Sequence, residues 1–201
     1  MKLYYTPGAC SLTPHIVLHE SGIAAEIEKV DLGRKLTASG KDFTAINPKG
    51  YVPALELEGG AVLTEVAAIS LYLADRKPGG GLAPQMGMER YRLLEWLAFI
   101  STEIHKTLGP LWNPATPEQT QQNQRNLFSR RMQQVAKSLG DKPFLMGTTF
   151  TIADAYLFNV LGWCGKLKID LAPWPTLQAF MGRVAQRPAV QAAMRAEGLL
   201  A

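Results

Sequence analysis

At 201 residues, 47% hydrophobic and with a formal charge of +4, the chain can bury one generous core or two small ones. It has the composition of neither a disordered nor a fibrous protein. No run approaches the ~18 apolar residues that span a bilayer, and the opening Met1-Lys2-Leu3-Tyr4-Tyr5-Thr6-Pro7 lacks an apolar signal core, so a soluble, cytoplasmic protein is expected. The charge is uneven: residues 1–80 hold 8 basic and 9 acidic residues, a net −1, and the remaining 13 and 8 give +5. The basic groups Arg125, Arg130, Arg131 and Lys137 are spread along a polar helical pattern without a basic run or aromatic platform, which argues against nucleic acid as a partner.

In chain order, Lys2 to Tyr5 reads as a strand, Leu12 to Ser21 as a helix and Glu26 to Asp31 as a second strand, a βαβ opening. A polar stretch with Lys35, Ser39 and Gly40 leads to the turn Asn47-Pro48-Lys49-Gly50 and then to Val52-Pro53. Ala54 to Leu57 and Ala61 to Leu63 flank Glu58-Gly59-Gly60 as a hairpin, and Val66 to Arg76 follows as a half-buried helix. Lys77-Pro78-Gly79-Gly80-Gly81 interrupts any regular structure and sets the domain boundary. The expected organisation is an α/β domain over residues 1–77, a linker over 78–86 and an all-helical domain over 87–201. Helices are expected over Glu89 to Lys106, Pro117 to Leu139, Ile152 to Leu167, Thr176 to Gln186 and Ala189 to Glu197.

Thr151 and Asp154 open the third of these helices as a capping box, each side chain bonding the other's backbone N–H, with Phe150 before it as a staple. That pairing accounts for both polar residues as folding information. His15 and His19 have the four-residue spacing of a metal pair, but with no third ligand apparent no metal site is assigned. Tyr4 and Tyr5 point to opposite faces of the first strand, and Tyr5 reads as core.

The thiols separate more sharply. Cys10 and Cys164 lie far apart with no CxxC or Cys/His spacing, so both are expected to be reduced, and neither a zinc site nor a disulfide framework is indicated. Cys10 lies at a helix start, where the partial positive charge of the N-terminus favours a thiolate; the alternative is an inert, buried thiol. A thiol at a helix start, followed some forty residues later by X-Pro before a hairpin, is the arrangement of a thioredoxin-like domain. Thr13 occupies the position where a dithiol oxidoreductase has its resolving cysteine, so disulfide exchange through a CxxC is excluded. What remains is a site that holds another molecule's thiol beside Cys10. Val52 can offer its backbone N–H and C=O to an extended peptide as an added strand, provided that the Val52–Pro53 bond is cis. The Glu65 carboxylate can take an ammonium, the Val66 N–H at a helix start can take a carboxylate, and Lys35 can take a second carboxylate at the far end of the peptide. Taken singly, Glu65 reads as a helix-terminal charge and Lys35 as a solvated loop lysine; their order along the chain joins them.

A peptide with an amino acid head, a central thiol and a carboxylate tail is glutathione. The segments Thr6-Pro7-Gly8-Ala9-Cys10-Ser11, Asn47-Pro48-Lys49-Gly50-Tyr51-Val52-Pro53-Ala54-Leu55, Leu63-Thr64-Glu65 and Phe150-Thr151-Ile152-Ala153-Asp154 resemble cytosolic glutathione transferases, and Pro-Gly-Ala-Cys-Ser points to the bacterial beta class. The resemblance covers essentially the whole chain. It implies a thioredoxin-like glutathione-binding domain, an all-helical domain with most of the hydrophobic substrate site, a homodimer, and a role in detoxification without a metal. It assigns Cys10 to the glutathione sulfur, where a mixed disulfide can form. Lys35, Val52, Pro53, Glu65 and Val66 carry over to glutathione binding, as do Thr102, Glu103, Ile104 and His105, the last as a supporting catalytic group near the sulfur. Two positions depart from the family pattern: Val66 replaces a serine or glycine, so only its backbone N–H can serve, and Ala98 stands where relatives often carry asparagine.

The expected reaction is attack of the glutathione thiolate on a hydrophobic electrophile, with Trp112, Trp163 and Trp174 as acceptor-site walls or as plain core. Two alternatives stand beside it. One is glutathione-dependent reduction or dehalogenation through a Cys10 mixed disulfide; the other is a non-catalytic carrier of hydrophobic ligands.

Overall fold

The computed structural model describes residues 1–77, 79 and 81–200. Pro78 and Gly80, on which part of the expected boundary rests, lie outside the described residues. The chain divides into two compact units, Met1–Ala83 with Gln186–Ala201, and Pro84–Ala185.

In the first unit, β1 (Lys2–Tyr5) is the centre of a five-stranded sheet of order β3-β2-β1-β4-β5. It pairs in parallel with β2 (Glu26–Asp31) and antiparallel with β4 (Ala54–Glu56); β5 (Val62–Thr64) and β3 (Leu36–Thr37) form the antiparallel edges. The period-2 alternation of β1 sends Leu3 and Tyr4 to opposite faces. Tyr4 packs with Val30, Phe43, Val52 and Ala54. Leu3 pairs in register with Leu55, and both are fully buried.

Helix α1 (Leu12–Ser21) carries Pro14 in its first turn, where the missing N–H costs no intrahelical bond. It ends at Gly22 in the left-handed region, φ 65°, whose N–H bonds the His19 and Leu18 carbonyls. α1 packs against α3 (Val66–Asp75) and α9 (Pro188–Ala196). The polar stretch that sequence alone left irregular contains β3 and the single turn α2 (Phe43–Ile46). Asp42 caps that turn by accepting the Thr44 N–H, and the buried Phe43 anchors it.

The second unit is helical. α4 (Gly87–Phe99) passes into a π-helical segment, Ile100–His105, then α5 (Lys106–Leu108) and a 3-10 turn, Gly109–Trp112. The expected uniform helix over Glu89 to Lys106 is therefore corrected: the hydrophobic spacing locates the helix but does not encode the wider i to i+5 turn. α6 (Glu118–Leu139) buries Phe128, Met132, Val135 and Leu139, a stripe at helical spacing. α7 (Ile152–Leu161) is buried at all ten residues, so periodicity could not mark a face; turns replace the helix from Gly162, and it stops short of the expected Leu167. α8 (Pro175–Ala185) closes the unit.

The expected assignment of all of 87–201 to the helical domain also differs from the observed division. The last helix belongs with the sheet unit: Val190 and Ala193 are buried in α9, which packs on α1, and Arg187 grips Glu20 through Nε and Nη2 at 2.5 and 2.8 Å.

Candidate glutathione site

The loop between β1 and α1 is tied down before it reaches the thiol. Ser11 Oγ accepts the Thr6 N–H at 3.1 Å, the Ala9 N–H donates to the Thr6 carbonyl at 3.0 Å, and Gly8 turns at φ 70°. Cys10, half-buried, then donates its thiol to the Val52 carbonyl at 3.2 Å. The Val52–Pro53 bond is cis. Two of the features read from sequence, the helix-start thiol and the pre-proline backbone, are thus in direct contact. Cys164 differs: burial pushes its thiol up to about 12, which leaves it an inert core group.

Glu65 precedes α3 at φ 74°, a backbone region costly for a residue with a side chain. Its Oε1 accepts Lys49 Nζ at 2.6 Å and the Tyr51 hydroxyl at 2.8 Å. The carboxylate bond raises the pKa of both partners, with burial adding to the effect on Tyr51. Lys49 and Tyr51 were not singled out by the sequence reading, though both lie in the quoted Asn47-to-Leu55 segment. Val66 opens α3 with its side chain buried, so the backbone N–H is what it presents at the helix terminus. Lys35, also at positive φ, 56°, bonds the Gly50 carbonyl through Nζ at 2.7 Å.

A further element reaches the thiol loop from the C-terminal segment. Buried Glu197 accepts the Gly8 N–H at 2.8 Å and pairs with His15 Nδ1 at 2.9 Å. His19 lies 5.2 Å from His15 ring to ring; burial first, and His15 second, lower its pKa. Among the described residues no cluster of three or more His, Cys, Asp or Glu could hold a metal. Tyr5 is buried against His15, and burial followed by the Glu197 charge raises its pKa. Its expected role as core agrees with that setting.

In the helical unit the π-helical segment carries Thr102, Glu103, Ile104 and His105. Thr102 is exposed and donates back to the Ala98 carbonyl at 3.1 Å. Glu103 is ion-paired with Arg131 of α6, whose Nε donates at 2.9 Å. Ile104 is fully buried. His105 Nδ1 lies 2.8 Å from the Tyr156 hydroxyl, with Trp163 edge-on at 4.9 Å and Trp112 6.0 Å beyond Trp163. Trp174 is buried and donates to Gln133 at 3.2 Å, as a core group does. A cavity of about 450 Å³ opens between α4 and α6, lined by Trp96, Phe99 and Val135 among others.

A sheet unit with a thiol beside a cis-proline, joined in one chain to an all-helical unit, defines a thioredoxin-like domain with a helical extension. The family description "Glutathione S-transferase, N-terminal domain" matches residues 8–76, and "Glutathione S-transferase, C-terminal domain" matches residues 99–188. Glutathione S-transferase GstA of Escherichia coli O157:H7 is 48% identical over 200 residues, covering 99% of this chain and 100% of that protein. A bacterial beta class transferase structure from Sphingomonas chungbukensis is 45% identical with a TM-score of 0.95, and a sphingomonad glutathione S-transferase solved with glutathione is 46% identical with a TM-score of 0.95. Both cover 100% of each chain. The chain belongs to the glutathione S-transferase family, in its bacterial beta class, and is an enzyme with glutathione as cosubstrate. Among the described residues no helix is long and apolar enough to cross a membrane.

Proposed function

We propose that glutathione lies extended along the Val52 backbone of the first unit with its sulfur at Cys10. The observation that carries this reading is the Cys10 thiol donating to the Val52 carbonyl, which puts the group suited to a sulfur beside the backbone suited to a peptide. Glu65 takes the α-ammonium and the Val66 N–H the adjoining carboxylate, while Lys35 takes the carboxylate at the other end. Pro53 shapes the Val52 turn. Glu65 already holds two donors, Lys49 and Tyr51, so the incoming ammonium competes with Lys49 for the same oxygen.

In the second unit, Thr102, Glu103 and Ile104 are assigned to ligand contacts, and His105 to the sulfur, as a supporting catalytic group. The thiol loses its proton to solvent, and the resulting thiolate attacks an electrophilic carbon, forming a thioether and expelling a leaving group such as halide. Held as an anion, the sulfur is nucleophilic at neutral pH, and rate comes from charge stabilisation and proximity. Trp163, ring against ring with His105, and Trp112, against Trp163, suit a hydrophobic, partly aromatic electrophile. The protein acts in the cytoplasm as a homodimer in detoxification, with the glutathione-binding domain built on residues 1–77.

A second reading is favoured by the half-buried setting of Cys10: the thiol forms a mixed disulfide with glutathione and serves reduction or dehalogenation. Intact mass of the purified protein, before and after reductant, together with the Cys10→Ala variant, separates the two. Conjugation that survives the substitution supports the first reading. Turnover abolished by it, with one glutathione released on reduction of the parent, supports the second.

A further inference from the structure

Lys49 reaches Glu65 from the loop ahead of the cis-proline. Its ammonium donates to Glu65 Oε1 at 2.6 Å and to Thr64 Oγ1 at 2.9 Å, and lies 5.9 Å from the centre of the Tyr51 ring. Both members of the ion pair are about half-exposed, 47% and 55% at the side chain, so water screens the pair and opening it costs little. The Tyr51 hydroxyl donates to the same oxygen at 2.8 Å and, being neutral, can keep holding the carboxylate when Lys49 leaves. α3 has no acidic residue in its first turn, and Glu65, which precedes it, makes no side-chain bond to that turn. Two positive ends, the N-terminus of α3 and the Lys49 ammonium, therefore stand beside the Glu65 carboxylate.

We infer that Lys49 is a glutathione-binding residue, which takes the α-carboxylate of the ligand's amino acid head while Glu65 takes the α-ammonium. This rests on the placement of that head at Glu65 and Val66. The two charges of an α-amino acid share one carbon, so a ligand whose ammonium is on Glu65 Oε1 carries its carboxylate to within reach of a lysine already 2.6 Å from that oxygen. Binding is then an exchange of partners. The incoming ammonium displaces Lys49 from Oε1, Lys49 turns its four-carbon stem to the incoming carboxylate, and one ion pair becomes two with alternating signs. Val66 contributes a backbone N–H there, its side chain being buried and apolar, and Lys49 adds the positive charge that a backbone donor lacks. The pair also selects the ligand: a head with either charge missing breaks the bond between Lys49 and Glu65 without replacing both ends of it.

Calorimetric titration of the full-length, reduced enzyme with three peptides tests this: glutathione, γ-aminobutyryl-cysteinyl-glycine, which lacks the α-carboxylate, and glutaryl-cysteinyl-glycine, which lacks the α-ammonium. The parent is expected to bind each analogue at least about tenfold more weakly than glutathione. Lys49→Met is expected to weaken glutathione about three- to tenfold, with Lys49→Arg restoring most of that loss. The same Lys49→Met enzyme is expected to bind the analogue without the carboxylate at least as tightly as the parent does, because its ammonium no longer competes for Glu65. An unchanged or tighter Kd for glutathione in Lys49→Met overturns the inference, since Lys49 is then only a competitor for Glu65. So does an equal loss for glutathione and for the analogue without the carboxylate, which marks a purely structural effect. If the parent binds all three peptides alike, it is the placement of the head at Glu65 and Val66 that has failed, and the role of Lys49 falls with it.

Discussion

Asp154→Ala tests whether the most buried acid of the helical unit is structural. The side chain is fully buried and accepts three hydrogen bonds of 2.8 Å, from the Leu145 N–H, the Thr151 N–H and the Thr151 hydroxyl. Burial drives its pKa upward, and those donors pull it back. Alanine strands two backbone N–H groups and a hydroxyl in a dry setting, each worth about 1–3 kcal/mol when unsatisfied. Partial relaxation brings the expected cost to about 3–5 kcal/mol, or roughly 6–20 °C in melting temperature for a chain of this length. Asp154→Asn, which keeps one carbonyl acceptor, is expected to lose about half as much. Calorimetry and urea unfolding measure both, with glutathione turnover followed below each melting point. Turnover there should stay close to the parent's. An alanine variant that melted within about 2 °C of the parent would refute the reasoning, because it would mean the stranded donors cost nothing.

Two further outcomes follow from the thiols and the sheet. Iodoacetamide under native conditions should modify Cys10 and spare Cys164, whose thiol is pushed up to about 12, until the protein unfolds; peptide mass mapping reads the order, and equal labelling would contradict the buried setting. Glu28 of β2 is burdened by burial, but Ser39, Thr37 and Lys2 donate to it and together hold its carboxyl at about 2 against an ordinary 4.5. A depressed carboxyl stabilises the fold above its unfolded pKa, and that contribution is lost as pH falls from about 4.5 toward 2. At about 1.4 kcal/mol per unit the bound is about 3 kcal/mol, and solvent screening reduces it to roughly 1–2. Urea midpoints across that window should fall more steeply for the parent than for Glu28→Gln; parallel slopes would remove Glu28 from acid sensitivity.

The parts of the fold visible in the sequence are those where one local rule dominates. β1, α1 and β2 were bounded correctly because apolar strands and a glycine-stopped helix leave few alternatives. β3 and α2 were missed because two paired residues and one turn carry no periodicity; Phe43 fixes them only through a core assembled from β1, β2 and Val52. The contact between Cys10 and Val52 spans 42 residues, and only a resemblance in motif order anticipated it. Lys49 and Tyr51 at Glu65 and Glu197 at Gly8 escaped because each pairing is long-range and each residue type is ordinary at its own position. The π-helical turn at His105 is invisible to a reading based on 3.6-residue periodicity.

The account stands most directly on glutathione-dependent conjugation of chlorodinitrobenzene by the parent enzyme and by Glu65→Gln, measured at saturating electrophile over a range of glutathione. The parent is predicted to form the thioether with saturation in glutathione, and the variant to need at least about tenfold more glutathione once the ammonium loses its charged partner. Parent turnover indistinguishable from the uncatalysed rate, or a variant saturating at the parent's glutathione concentration, would contradict it.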